Sequence, residues 1–325
     1  MSTAARVPHT NDLEGDDAFE TAAEIGAKSL IADSIVRFRF ADGFSHSRAL
    51  AFQLLLTAVP ALIALVGFAE LLGQGTFRDV VTQTFEDVAP GPASGLITDA
   101  FRHGTSATEN SGALPLVLGG IAALIAGAGT MGQIERGSNR IYGVERDRPA
   151  LRKYALAVGL ACTAGLASVV AFLLLVPGSA IGEALKDVTG WGEGLDLAWR
   201  VGRWILGAVL VGAAVALLFK VSPRRPQPDF SWLAVGAGLS VVLWFAFTGL
   251  LALYIGASQS FGDTYGPLAG MVDFLLWSFL TALALFLGLA VAAQLEAVRA
   301  GAPEPIAESP GSQRPDQDSN LGPTP

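Results

Sequence analysis

About six stretches of this sequence run for roughly 20 residues or more with almost no charge. At about 1.5 Å of rise per residue, each is long enough to cross a hydrocarbon layer about 30 Å thick as a helix. They occupy residues 49–72, 113–134, 154–176, 201–221, 232–255 and 268–295. A globular domain has no interior large enough to hide so many uncharged helices. A bilayer demands such segments, because in lipid every backbone amide must be paired within the protein. Composition agrees, with 51% hydrophobic and 15% charged residues, against about 25% charged in ordinary soluble domains. The expected fold is all-α: a polytopic membrane protein of six transmembrane helices.

The cations divide unevenly between alternate connections. Arg6, Lys28, Arg37, Arg39 and Arg48 precede the first span. Arg136, Arg140, Arg146, Arg148, Arg152 and Lys153 lie between the second and third, Lys220, Arg224 and Arg225 between the fourth and fifth, and Arg299 and Arg314 after the last. The other connections hold only Arg78, Arg102, Lys186, Arg200 and Arg203. Short cationic loops resist translocation, so both termini are expected in the cytoplasm of an inner-membrane protein. The N-terminus is acidic and polar, and no cleavable signal peptide is expected there.

Flanking elements follow from composition and spacing. Residues 1–18 are expected as a disordered acidic tail and residues 301–325, rich in Pro, Gly, Ser and Asp, as a second one; the membrane domain then covers 19–300. Between about Phe19 and Phe40, Ile31, Ile35 and Phe38 share a helical face while Lys28, Arg37 and Arg39 lie off it. That pattern fits an N-terminal amphipathic helix in the membrane interface, or one packed on the end of the bundle. Phe77, Val80, Val81, Thr84, Phe85 and Val88 predict a short outer-loop helix. Trp191 and Trp199 suit the interfacial aromatic belt. Small residues recur every four positions at Gly119, Ala123 and Gly127 and at Ala157, Ala161 and Gly165, predicting close helix approach.

Few residues offer chemistry. His9, His46 and His103 are scattered, the single Cys162 reads as a packing residue, and no HExxH, GxSxG, Walker A or Cys/His cluster occurs. The basic residues lack the interleaved aromatics of a nucleic-acid groove. An enzyme, a cofactor, a metal site and a nucleic-acid partner are therefore not expected. The polar groups at or near membrane depth are the candidates, since each is costly in hydrocarbon: Gln53, Glu135, Arg136, Asn139, Arg140 and Asp273, with Pro60 as a bend. Pro60 strips the Leu56 carbonyl of its helical partner, and Thr57 is one group that could replace it. At the end of the second span, Glu135 with Asn139 and Arg136 with Arg140 stand i,i+4. They serve either as helix capping and charge retention or as a basic pocket for a phosphate or lipid headgroup.

The segment IERGSNRIYGVERDRP, residues 134–149, resembles the signature region of the BrkB/YihY family of six-span bacterial inner-membrane proteins. SRALAFQLLLTAVPALIAL, LLFKVSPRRPQP and the region SFGDTYGPLAGMVDFLLWSFLTALALFLGLAVAAQL also resemble that family, in order and spacing. Phe52-Gln53 and Ala126-Gly127 depart from its aromatic pair and Trp-Ser. The resemblance implies an envelope protein, in a family once mislabelled as a ribonuclease, with transport or flipping of lipids or other amphiphiles suspected for some members. Membrane lipids, and a lipid-like or amphiphilic substrate, are then the expected partners. The competing reading is an envelope-integrity or scaffold protein that moves nothing; a channel would call for charge rings or a Gly-rich filter, which the spans lack. The sequence admits a homo-oligomer and does not assign one.

Overall fold

Charge interrupts an apolar run long before it interrupts a helix, and the helices accordingly overrun the apolar blocks at their basic ends. The computed structural model describes residues 4–10, 13–71, 114–175, 178–257 and 269–307. Two short helices, α1 (Gly15–Ile25) and α2 (Ala27–Phe40), precede the long α3 (Gly43–Leu71). Then come α4 (Leu114–Ile141), α5 (Ala150–Leu160, a π-helical turn Ala161–Gly165, and Leu166–Leu175), α6 (Gly178–Thr189), α7 (Glu193–Val221), α8 (Phe230–Ala257) and α9 (Ala269–Arg299). Among the described residues α4, α5, α7, α8 and α9 are long and apolar enough to cross a membrane. α3 is the other long helix, at 29 residues, and runs unbroken through Pro60.

The breaks have local causes. Asp17 in the first turn of α1 accepts a hydrogen bond from the Glu14 amide at 3.0 Å, as carboxylates do at helix N-termini. Gly26, at φ +82°, separates α1 from α2, and α4 stops at Gly143, φ +68°.

The long helices close a cycle. α3 packs on α4, α4 on α5, α5 on α7, α7 on α8, α8 on α9, and α9 back on α3. α9 also reaches α4, α6 lies against α7, α1 crosses α8 and α9, and α2 lies on α9. Small residues set the closest approach. A Cβ on Gly236 would come within 2.7 Å of the Gly288 carbonyl oxygen, and one on Gly288 within 1.9 Å of Ser240 Oγ, so α8 and α9 touch backbone to backbone. Of the two expected ridges, a Cβ on Gly119 would lie 3.0 Å from the Ala64 amide and one on Gly127 3.6 Å from the Ala161 Cβ.

Burial is concentrated at one end of this ring, where Arg136, Arg140, Arg148, Arg224 and Arg225 gather, and which is called here the arginine-rich end. On α9 the buried positions crowd between Ala282 and Ala297, with only Ala269 and Ser278 nearer the start. On α8 they run from Trp232 to Ser240, then only Leu251. Just 11% of the most apolar window of α8 is buried inside the chain. The remaining apolar surface requires lipid as its solvent.

Several expectations are corrected. Residues 4–10 of the expected N-terminal tail are not loose: Ala4 pairs with Ile306, the Val7 amide donates to the Tyr142 carbonyl at 3.2 Å, and Ala4, Val7 and Leu13 are buried. The helix over 19–40 is two helices, and its faces are reversed in part. Phe38 is buried and so is Arg37, while Ile31 and Ile35 stand exposed. Packing selects the stripe Leu30, Ser34, Arg37 and Phe38, leaving Lys28, Ile31, Ile35 and Arg39 as an outward stripe one residue away. The connection near Trp191 contains the unexpected helix α6, and Trp199 is held by it, its indole N–H donating to the Gly178 carbonyl at 2.6 Å. Cys162 is exposed on the π-helical turn rather than packed. The predicted outer-loop helix and the end of the C-terminal tail lie outside the described residues.

Candidate functional site at the arginine-rich end

α4 carries Glu135 and Asn139 on the face that turns inward, and both are buried. Glu135 Oε1 accepts from the Arg148 amide at 3.2 Å and lies 3.6 Å from its guanidinium. Arg148 in turn donates to the carbonyls of Ser222 at 2.6 Å, Val221 at 3.0 Å and Pro223 at 2.8 Å. Val221 ends α7, Ser222 is its C-cap and Pro223 follows it; carbonyls at a helix end have no helical donor of their own, so Arg148 caps α7 and opposes its dipole. Asn139 donates to Asp147 Oδ1 at 3.0 Å and accepts from the Arg224 amide at 2.7 Å. Arg224 donates to the Asp147 carbonyl at 2.7 Å. Thus one buried face of α4 fastens the loop after α4 to the loop after α7. Burial alone would raise the Asp147 pKa, but the Asn139 hydrogen bond and the Lys153 charge hold it below the ordinary carboxylate range.

A second buried network joins the termini. Arg37 donates to Gln294 Oε1 at 2.8 Å and to the Ala5 carbonyl at 2.8 Å. Burial pushes its pKa down to about 10, which still leaves it charged at neutral pH. Arg225 pairs with Glu296 and stacks on the Tyr142 ring, 4.6 Å from its centroid. Thr10 donates to Glu296 at 2.7 Å. Tyr142 is held well above the ordinary phenol range by burial. Breaking such a pair strands a charge in the interior, at a cost of about 3–5 kcal/mol.

Where α3, α4 and α9 meet, the arginine-rich end is filled. Gln133 Nε2 and His46 Nδ1 lie 3.1 Å apart, and the Phe286 ring packs at 6.5 Å between centroids against His46. Phe286 occupies the space a side chain on Gly137 would need, 2.4 Å from its ideal Cβ. One aromatic ring is thus seated on a glycine at this contact.

The sequence candidates fall into separate places. Glu135 and Asn139 join the loop network described above. Arg140 donates to the Glu145 carbonyl at 3.0 Å, closing its own helix end, and Arg136, more than half exposed, lies 3.8 Å from Asp147. Gln53 is half-buried beside Gly129 on α4. Thr57 does not turn to Leu56; it donates to the Gln53 carbonyl at 2.8 Å and meets Thr130 at 2.8 Å across the α3–α4 contact. Pro60 and Asp273 are half-buried and lie toward the opposite end. Sequence reasoning missed Arg37, Gln294, Glu296, Arg225 and Arg148 as partners. Gln294 and Glu296, polar in an otherwise apolar stretch of α9, were the one available signal.

An all-α chain whose helices bury polar groups at one end and expose apolar surface along their length is an integral, multi-pass membrane protein. The sequence model of the family described as Virulence factor BrkB matches residues 34–313, and the chain belongs to that family. It is 26% identical over 260 residues to "Putative ribonuclease-like protein YfkH" of Bacillus subtilis (strain 168), covering 80% of this chain and 92% of the relative. It is 28% identical over 258 residues to "UPF0761 membrane protein azo3165" of Azoarcus sp. (strain BH72), covering 76% of this chain and 59% of the relative. A UPF0761 membrane protein of Chromohalobacter salexigens is 25% identical over 267 residues, covering 82% and 62% respectively. The chain therefore spans about three fifths of the UPF0761 relatives' length. No solved structure matches it. Among the described residues, no group of three or more His, Cys, Asp and Glu side chains is placed to hold a metal ion.

Proposed function

We propose that this protein moves a lipid or other amphiphile across the cytoplasmic membrane, with both termini in the cytoplasm, and that it is not an enzyme. The observation that carries this reading is the asymmetry of the ring. Its arginine-rich end is plugged by Phe286 on Gly137 and laced by buried polar bonds, while the opposite halves of α8 and α9 bury few residues. A helix ring closed at one end and loosely packed at the other fits a path that opens alternately. Gln53 and Asp273 supply polar groups along that path, Pro60 a point of bending, and Arg136 a headgroup contact at the sealed end. Glu135, Asn139 and Arg140 hold that end shut.

One observation favours the competing role, an envelope scaffold that moves nothing: among the described residues, every buried cation at the arginine-rich end is consumed by internal carbonyls, carboxylates or amides. Reconstitution in vesicles carrying labelled anionic lipid on one leaflet separates the two. Transport predicts transbilayer movement that falls in Asp273→Asn and Gln53→Ala. Absence of movement in the wild-type protein, or identical movement in both variants, would sink the transport reading and leave the scaffold.

A further inference from the structure

The N-terminal segment, the loop after α4 and the loop after α7 enclose a cleft of about 670 Å³, within the usual size range for small-molecule sites. Its walls are fastened by hydrogen bonds to main-chain carbonyls. The Val7 amide donates to the Tyr142 carbonyl at 3.2 Å, and Arg225 donates to the Pro8 carbonyl at 3.1 Å. Gly143 lets the two strands of chain touch, since a Cβ there would lie 2.6 Å from Arg6 Cα. The cleft is therefore built before any ligand arrives.

Its charge is at odds with the whole chain, which carries a formal net charge of −8. The lining includes Arg6, His9, Arg146, Arg224 and Arg225 against one carboxylate, Glu145. Arg225 is already neutralised by Glu296. Arg6 and Arg146 are exposed, and among the described residues neither side chain forms an ion pair. Two of the three remaining guanidinium groups thus converge on the cleft with no described counter-charge, and Arg224 adds a third. Burial first, and then the charges of Arg225 and Arg6, hold His9 below the ordinary imidazole range. Guanidinium groups grouped in this way suit phosphate oxygens, which they meet with paired, charge-assisted hydrogen bonds.

We propose that this cleft binds a phosphate-bearing ligand, either a free phosphorylated small molecule or a phospholipid headgroup, through Arg6, Arg146 and Arg224. The site is distinct from the path through the ring and does not depend on transport.

The test is calorimetric titration of inorganic pyrophosphate into the full chain in phosphatidylcholine nanodiscs at low salt. Saturable binding is expected, weakened about tenfold in each of Arg6→Ala and Arg146→Ala and unchanged in Arg152→Ala, which removes an exposed arginine outside the cleft. Both cleft arginines are exposed, so their loss leaves the fold intact. Repeating the titration in phosphatidylglycerol nanodiscs distinguishes the source: competition that weakens pyrophosphate binding supports a lipid headgroup, and unaltered binding supports a free phosphate ligand. No saturable binding by the wild-type protein, or equal binding by Arg6→Ala, Arg146→Ala and Arg152→Ala, overturns the proposal.

Discussion

The two ends of the helix ring use polar residues in opposite ways. At the arginine-rich end, Arg37, Glu135, Asn139, Gln294 and Glu296 are fully or nearly buried; Glu135 is bonded from the following loop, and each of the others has a hydrogen-bond partner far away in sequence. Away from that end, the polar contact between spans is modest: Thr57 meets Thr130 near the middle of α3 and α4, and Trp244 donates to Thr281 at 3.1 Å. Apolar helices in lipid gain nothing from the hydrophobic effect by finding one another. A dense polar network, with the close Gly236–Gly288 contact of α8 and α9, therefore fixes which helices meet at one end, while the other buries few residues and has little to hold its helices in one arrangement.

The comparison predicts a graded series of effects on thermal unfolding in detergent or lipid. Glu296→Ala leaves the Arg225 guanidinium buried without its carboxylate, and a loss of about 3–5 kcal/mol is expected; a loss below about 1 kcal/mol would show that the network does not hold the end. Phe286→Ala empties the plug, and should cost about 3–5 kcal/mol while increasing leakage of solute across reconstituted vesicles if the ring is sealed there. Arg148→Ala frees the terminal carbonyls of α7 and the Glu135 carboxylate together, with an expected cost of about 2–3 kcal/mol. Thr57→Val, which removes a single hydroxyl contact midway along the spans, should cost only about 0.6 kcal/mol.

Asp147 sharpens the same contrast through pH. Its carboxyl is held below the ordinary range in the folded protein, so its contribution to stability is present above the unfolded carboxylate pKa and is lost as pH falls through the lower folded value. The protein is expected to lose this contribution only below about pH 4, where the unfolded carboxylate begins to take up its proton. Asp147→Asn should flatten that part of the profile, and a profile identical to wild type would remove Asp147 from the account.

Legibility in the sequence followed the length of the signal. Twenty-residue apolar runs stood out whatever their neighbours did, and the helices formed where those runs lie. The importance of Glu135 and Asn139 was legible because a polar i,i+4 pair at a span's end needs partners. Their use was not, since Arg148 and Arg224 lie on loops whose approach no local pattern encodes. Arg37 misled most. On α2 it occupies the same stripe as Leu30, Ser34 and Phe38, yet its charge argued for solvent or lipid headgroups. Gln294, together with the carbonyls of Ala5, Ile141 and Glu304, makes its burial tolerable.

By itself the sequence determined the solvent of the fold. Runs of uncharged residues must be helical in hydrocarbon, because each backbone group has to be satisfied within its own segment, and that condition is local. The order of the helices around the ring, the seating of Phe286 on Gly137, and the burial of Arg37 and Arg225 were decided by the tertiary structure. Each depends on groups far apart in the chain converging at hydrogen-bond distance, and a partner met only after folding leaves no mark on the residues beside it.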